Sequence, residues 1–185
     1  VYKKSPNPII EELTKSYRDR SIDLSRVRAI KLEDGSRMCV WCQENKLGKH
    51  PNQKYCSTEC SNQAMAWAYP QKEEGLAFLL IRQDYCCNIC KYDYKPFIEE
   101  NIIGKFYGTK TTDDVEYRTK FNYWIIKRFK RHVEKKVKPE VDHIEPIYKG
   151  GQSLGLDNHQ AICYTCHKTK SKIDNSGPRK KKLVK

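Results

Sequence analysis

Nine cysteines are the first residues in this chain whose types and spacing imply chemistry. Eight fall into four close pairs, Cys39-x2-Cys42, Cys56-x3-Cys60, Cys87-x2-Cys90 and Cys163-x2-Cys166, and Cys86 is left over. Disulfides between such near neighbours are strained or redox-active, whereas thiolate pairs at this spacing suit tetrahedral zinc. Cys39, Cys42, Cys56 and Cys60 predict one structural site, with a thirteen-residue loop between the pairs. His50 lies in that loop as a spare ligand, but four thiolates already fill the shell. Cys87, Cys90, Cys163 and Cys166 predict a second site joined across the chain, with Cys86 as the alternative to Cys87. The expected complement is two structural zinc ions, in a reducing, intracellular compartment. A second group of chemical residues surrounds the last cysteine pair: Asp142-His143, Asn158 and Cys166-His167. Each alone is ordinary. A carboxylate and an imidazole side by side, with a second imidazole next to a zinc thiolate, are harder to explain as structure only, although His167 could also substitute as a zinc ligand.

The surrounding elements must hold these groups. Pro8 to Arg18 has the pattern of a short amphipathic helix. Residues 26–40 predict a hairpin turning at Asp34-Gly35 with a two-residue loop. Residues 61–85 predict helix, interrupted at Pro70. Residues 121–136 also predict helix, with Phe121, Ile125, Phe129 and Val133 four apart and Lys127, Arg128, Lys130, Arg131, Lys135 and Lys136 on other faces; this is either a packed surface helix or a helix laid along phosphates. Gly150 and Gly151 permit a tight return between two strands. The organisation expected is an N-terminal helix and hairpin (1–38), a four-cysteine zinc module (39–70), a catalytic-type domain (71–175) with an insert over 91–140, and a basic tail (176–185). The tail adds DNA affinity, serves as a nuclear signal if the source is eukaryotic, or is merely solvated.

Composition narrows the partner. Lys plus Arg is 36 against 23 acids, a formal net charge of +13. That balance favours a polyanion, nucleic acid above all. No apolar run approaches the ~18 residues that span a bilayer, so no membrane partner is expected. The first residue is Val1, which suggests a piece of a longer chain with further domains.

The ordered features Asp142-His143, Asn158, Cys163-x2-Cys166 and His167 resemble the HNH, or ββα-metal, endonucleases. Tyr55-Cys-Ser-x-Glu-Cys60, the later CxxC and a fifty-residue insert before Val141-Asp-His resemble, within that family, the C-terminal nuclease domains of zinc-finger annealing helicases that act at stalled replication forks. The likeness covers roughly residues 39–172; His159 stands where an aliphatic residue is usual. The resemblance implies an α+β fold, with a ββα-metal core in a treble-clef-like zinc frame and an additional four-cysteine zinc module. It also implies one divalent cation, Mg2+, Mn2+ or similar, held by Asp142 and His167. His143 would be the general base, and Asn158 would steady the loop that orients it. DNA contacts are expected from Lys168, Lys170 and Lys172 and from Lys127, Arg128 and Arg131. Without the resemblance, a noncatalytic zinc-stabilised DNA-binding module fits the charge and the cysteines. A zinc-organised protein-interaction module remains a third reading.

Overall fold

The computed structural model describes residues 24, 27–48, 50–98 and 129–176. The expected helix over 8–18, Lys127, Arg128 and the tail beyond Ser176 lie outside the described residues. The rest is an α+β arrangement built around two cysteine clusters and one short antiparallel hairpin.

The N-terminal turn differs in detail from its expectation. Lys31 bridges Arg37, Gly35 N donates to Leu32 O at 2.9 Å, and Leu32 N donates to Ser36 O at 2.8 Å. The loop is therefore three residues, Glu33 to Gly35, with Gly35 left-handed at φ +79°. The Asp34 side chain is used as an acceptor for Ser36 N at 2.9 Å, and this Asp-turn shifts the tight position from a two-residue to a three-residue loop.

The predicted helix over 61–85 is two helices. Helix α1, Thr58–Ala68, starts earlier than expected because Ser57 caps it, accepting from Cys60 N at 3.2 Å. Helix α2, Glu73–Arg82, begins after the break at Pro70, with Glu73 and Glu74 favourably placed in its first turn. Gly75 lets α2 close onto that break: a Cβ there would lie 2.0 Å from Pro70 O. A single turn, α3 (Lys95–Ile98), follows the second knuckle. Residues 129–132 are helical, and the part of the helix predicted over 121–136 that precedes them, 121–128, lies outside the described residues. The helix stops earlier than predicted and gives way to a 3-10 turn at Lys135–Val137, since Pro139 disfavours helix in the residue before it.

Strand β1 (Pro139–His143) pairs antiparallel with β2 (His159–Cys163), Pro139 opposite Cys163 and His143 opposite His159. Pro139 occupies the first strand position, where a missing N–H is tolerated. Helix α4, Tyr164–Ser176, leaves β2 with no intervening loop.

Two apolar clusters underlie these elements. One joins Leu76, Leu79 and Leu80 of α2 to Tyr94, Ile98, Phe129, Leu156, Ala161 and Ile162, with Cys87 and Cys163 inside it. The other joins Val27, Val40 and Trp41 to Ala64 and Ala68 of α1, with Cys39 inside it. Helix α1 serves both, since Ala66 belongs to the first cluster and its neighbours Ala64 and Ala68 to the second. Each core thus grows around one set of thiols, as expected of a chain with a mean hydropathy of −0.85 whose apolar surface is modest. Among the described residues no helix is long and apolar enough to cross a membrane.

Candidate metal and active site

The two cysteine knuckles repeat one local design. In the first, Gln43 follows Cys42 with φ +54°; in the second, Lys91 follows Cys90 with φ +59°. Gln43 N donates to Cys39 O at 3.1 Å and Lys91 N to Cys87 O at 3.0 Å. The turn back then brings Asn45 O to Cys39 N and Tyr92 O to Cys87 N, each at 2.9 Å. This equivalence selects Cys87 over Cys86, whose thiol points to Asp84 O at 3.5 Å instead.

In each cluster, Cys39/Cys42/Cys56/Cys60 and Cys87/Cys90/Cys163/Cys166, all four sulfurs lie within 4.8 Å of one another. Tetrahedral zinc with ~2.3 Å bonds requires sulfurs about 3.8 Å apart. Cys42 and Cys56 stand at 3.7 Å, Cys56 and Cys60 at 3.5 Å, and Cys90 and Cys163 at 3.8 Å. Backbone amides are directed at the sulfurs, Cys56 N to Cys39, Cys163 N to Cys87 and Cys166 N to Cys163. Burial pushes the Cys87 thiol up, but the amides of Cys163, Cys90 and Ile89 outweigh it and bring it to about 7. The Cys42 thiol is likewise brought to about 7, as the amides of Glu44 and Asn45 overcome the effect of burial. Burial pushes the Cys39, Cys60, Cys163 and Cys166 thiols up instead, and it is the sulfur spacing that makes both clusters capable of metal coordination. His50 is exposed and accepts from Asn52 N at 3.4 Å, outside the cluster.

The hairpin and α4 bring the second group of residues together. Asp142 and His143 end β1, and His167 lies in the first turns of α4 beside the second cluster. Glu140, unremarked in the sequence, is the residue that orients His167: Nδ1 donates to its Oε2 at 2.6 Å. The other ring nitrogen, Nε2, then faces Asp142 Oδ1 at 3.6 Å. A neutral imidazole lone pair opposite a carboxylate oxygen is repulsive unless a proton or a cation sits between them. A carboxylate behind a ligating histidine is the usual support in metal sites. Asp142 Oδ2 is buried without a hydrogen bond; Lys170 Nζ lies 3.1 Å from it as an ion pair. The donor set thus fits a divalent cation between Asp142 and His167, although among the described residues no third side chain completes a three-donor cluster.

His143 lines a cleft of about 590 Å³ with Asp142, Ile147, Tyr148, Lys170 and Asp174. Burial lowers its pKa, Lys170 adds to that and Asp142 opposes it, which keeps the ring neutral and able to accept a proton. The loop beyond it is tied by Asn158. Its Oδ1 accepts from Glu145 N at 2.9 Å, and its Nδ2 donates to Glu145 O at 2.9 Å and Gln152 O at 3.0 Å. Gly150 is left-handed at φ +110°, and at Gly151 a Cβ would come within 2.0 Å of Glu145 O and 2.6 Å of Asn158 Nδ2.

The lysines separate. Lys170, expected on phosphate, is turned inward to Asp142 and to Asp174, the latter at 2.6 Å. Burial pulls its pKa down, but the hydrogen bond to Asp174 and the adjacent Asp142 carboxylate more than compensate and raise it. Lys168 and Lys172, one turn apart on the other face of α4, line a second cleft of about 520 Å³ with Lys135, Lys136 and Tyr164 and no acid. Arg131 is exposed at the end of the 129–132 helix, and His132 beside it. The sequence could have revealed Glu140, two residues before Asp142 and hence on its strand face. Lys135 and Lys136, expected on the basic helix over 121–136, stand instead in the 3-10 turn.

The HNH endonuclease family model matches residues 130–172, a span holding both strands, Asp142, His143, Asn158 and His167. The DNA annealing helicase and endonuclease ZRANB3 of Mus musculus is 50% identical over 32 residues, 17% of this chain and 3% of that protein. The Homo sapiens protein of the same name gives the same identity and coverage. The matching segment is thus a small part of those relatives. No solved structure matches the chain.

Proposed function

We propose that the chain is a metal-dependent DNA endonuclease that hydrolyses phosphodiester bonds with His143 as general base. The observation that carries this reading is the meeting of Asp142, His143 and the Glu140-oriented His167 at one end of the hairpin, within the segment matched to HNH endonucleases. Asp142 and His167 would hold the cation. When bound, a divalent ion supplies charge stabilisation to a phosphate oxygen and the leaving group. His143, kept neutral by burial, takes the proton of the attacking water. Asn158 holds the loop after His143 by its bonds to Glu145 and Gln152. Lys168 and Lys172, with Lys135 and Lys136, give a lysine-rich track for the phosphate backbone; Lys127, Arg128 and Arg131 would extend it. The two thiolate clusters would each hold a structural zinc ion. Cutting near a fork or branch, and a role in DNA repair, rest on the resemblance to the nuclease domains of fork-acting annealing helicases; the relatives' name adds only annealing helicase and endonuclease.

One observation favours a second reading, a noncatalytic zinc-stabilised DNA-binding module. The Lys170 ammonium already neutralises Asp142 at 3.1 Å. The test is cleavage of duplex, single-stranded, nicked and forked DNA, with Mg2+, with Mn2+ and with no added cation. Cation-dependent cutting is expected. Tight, salt-sensitive binding with no cutting of any substrate would favour the module.

A further inference from the structure

His159 is the one histidine among the described residues that is wholly buried, and its ring nitrogens make at most a poorly aligned bond to the Gly155 backbone. A buried donor so poorly satisfied is unfavourable, a penalty that an aliphatic side chain of similar size would avoid. What the imidazole offers in return is a flat ring, and that ring lies against His143. The two residues are directly opposite in the ladder, with ring centroids 4.4 Å apart and planes tilted by 47°. The next rung, Ile144 N to Asn158 O at 2.8 Å, is hydrogen-bonded. His143 and His159 therefore occupy the closer, non-hydrogen-bonded kind of pair, where side chains meet most tightly.

The two sides of this contact are unequally held. Strand β2 is clamped to α2: Arg82 Nη2 donates to His159 O at 2.7 Å. Gln83 accepts from Ala161 N and donates to Ala161 O, both at 2.8 Å. His143 stands at the end of β1, before an exposed loop. Among the described residues no side chain or carbonyl hydrogen-bonds its ring, although a base histidine is ordinarily oriented through its second nitrogen.

We propose that His159 is the positioning residue for His143, its buried ring setting by packing the orientation that a hydrogen bond sets in other general-base histidines. The kinetic consequence rests on the nuclease reading; the packing itself does not. The contact acts through shape, so another planar ring should replace it and a small side chain should not.

The test compares His159→Ala and His159→Phe with the wild-type chain, all loaded with zinc, by two readouts. In NMR spectra, the His143 ring resonances should move and broaden in His159→Ala and regain a single, ring-shifted position in His159→Phe. In single-turnover cleavage with Mn2+, His159→Ala should lose about ten- to a hundredfold in rate with DNA affinity within about twofold, and His159→Phe should recover most of it. Unchanged His143 resonances in His159→Ala would overturn the proposal, whether or not the protein cuts DNA. So would a His159→Phe protein, folded and zinc-replete, that cuts as poorly as His159→Ala. A wild-type chain that cuts nothing would sink the nuclease reading and leave the NMR comparison to decide this one.

Discussion

Asn158 and Gly151 show how few atoms hold the mouth of the cleft. The Asn158 amide satisfies both backbone groups of Glu145 and the carbonyl of Gln152, and Gly151 is packed against the same amide and carbonyl. Removing the Asn158 amide leaves a partly exposed loop with up to three unmet bonds, and Gly151→Ala forces the loop open. Each variant should lose about 1–3 kcal/mol by denaturant titration, and an unchanged midpoint would refute the close packing. His159 carries a pH dependence of definite sign. Burial, followed by the charge of nearby His143, lowers its pKa to about 4, against ~6.5 when unfolded. The unfolded chain therefore binds the proton first. Stability from the neutral buried ring is complete above ~6.5 and declines as pH falls toward 4, by on the order of 3 kcal/mol. His159→Phe should flatten that part of the profile relative to wild type; parallel melting curves from pH 7 to pH 4 would contradict it. At this scale the sequence displayed Asp142, His143, Asn158 and His167 by type and spacing. It did not display Glu140 behind His167, the inward turn of Lys170 or the contact of His159 with His143, because each depends on strand register or on helix rotation.

Among the elements, α4 would be the most dependent on a metal held by the second cluster. No residue of it is fully buried, yet it carries His167 and Lys170. It is held by Cys166 in the second cluster, by Thr165 Oγ1 bonding Lys136 O at 2.7 Å, and by Tyr148 hydroxyl bonding Asp174 O. A helix with so little apolar anchorage should lose its docking when the second cluster is broken. Cys163→Ser is expected to lower the zinc content from two ions to one and to abolish hydrogen-exchange protection in α4. Cys56→Ser is expected to cost one zinc as well, but to leave protection in α4 largely intact. Two zinc ions retained in Cys163→Ser would contradict the assignment. The four close cysteine pairs were legible because their spacing is local, and 87/90 could be joined to 163/166 only because both were otherwise unpaired. The early start of α1 was legible only through Ser57, whose cap lies before the apolar stretch that drew attention. The true loop at Asp34-Gly35 followed from an aspartate side chain competing for the turn.

For the whole molecule, the charge of +13 resolves into two surfaces of different character. The cleft at His143 mixes Asp142 and Asp174 with Lys170, whereas the cleft with Lys135, Lys136, Lys168 and Lys172 is otherwise lined by Tyr164, Thr165 and Thr169, with Glu134 pairing with Lys136 at 3.1 Å. Composition could announce a polyanionic partner but could not distribute the lysines. On the proposed track, the double variant Lys168→Gln/Lys172→Gln should weaken DNA binding uniformly across sequences. It should also reduce the slope of log affinity against log salt by about 2. A salt slope equal to that of wild type, measured by fluorescence anisotropy, would move the backbone contact elsewhere. The two apolar cores sharing α1 were likewise not visible beforehand, since Ala64, Ala66 and Ala68 differ only in the direction the helix gives them.

The central claim is that His143 takes a proton during cation-dependent cleavage of DNA. Its most direct test is the single-turnover rate of His143→Ala against wild type, on the substrate wild type cuts best, at saturating Mn2+ and with zinc content and DNA affinity measured alongside. The account predicts a loss of about 10²- to 10⁴-fold in rate, with two zinc ions and DNA affinity retained. Cleavage by His143→Ala at the wild-type rate would contradict it.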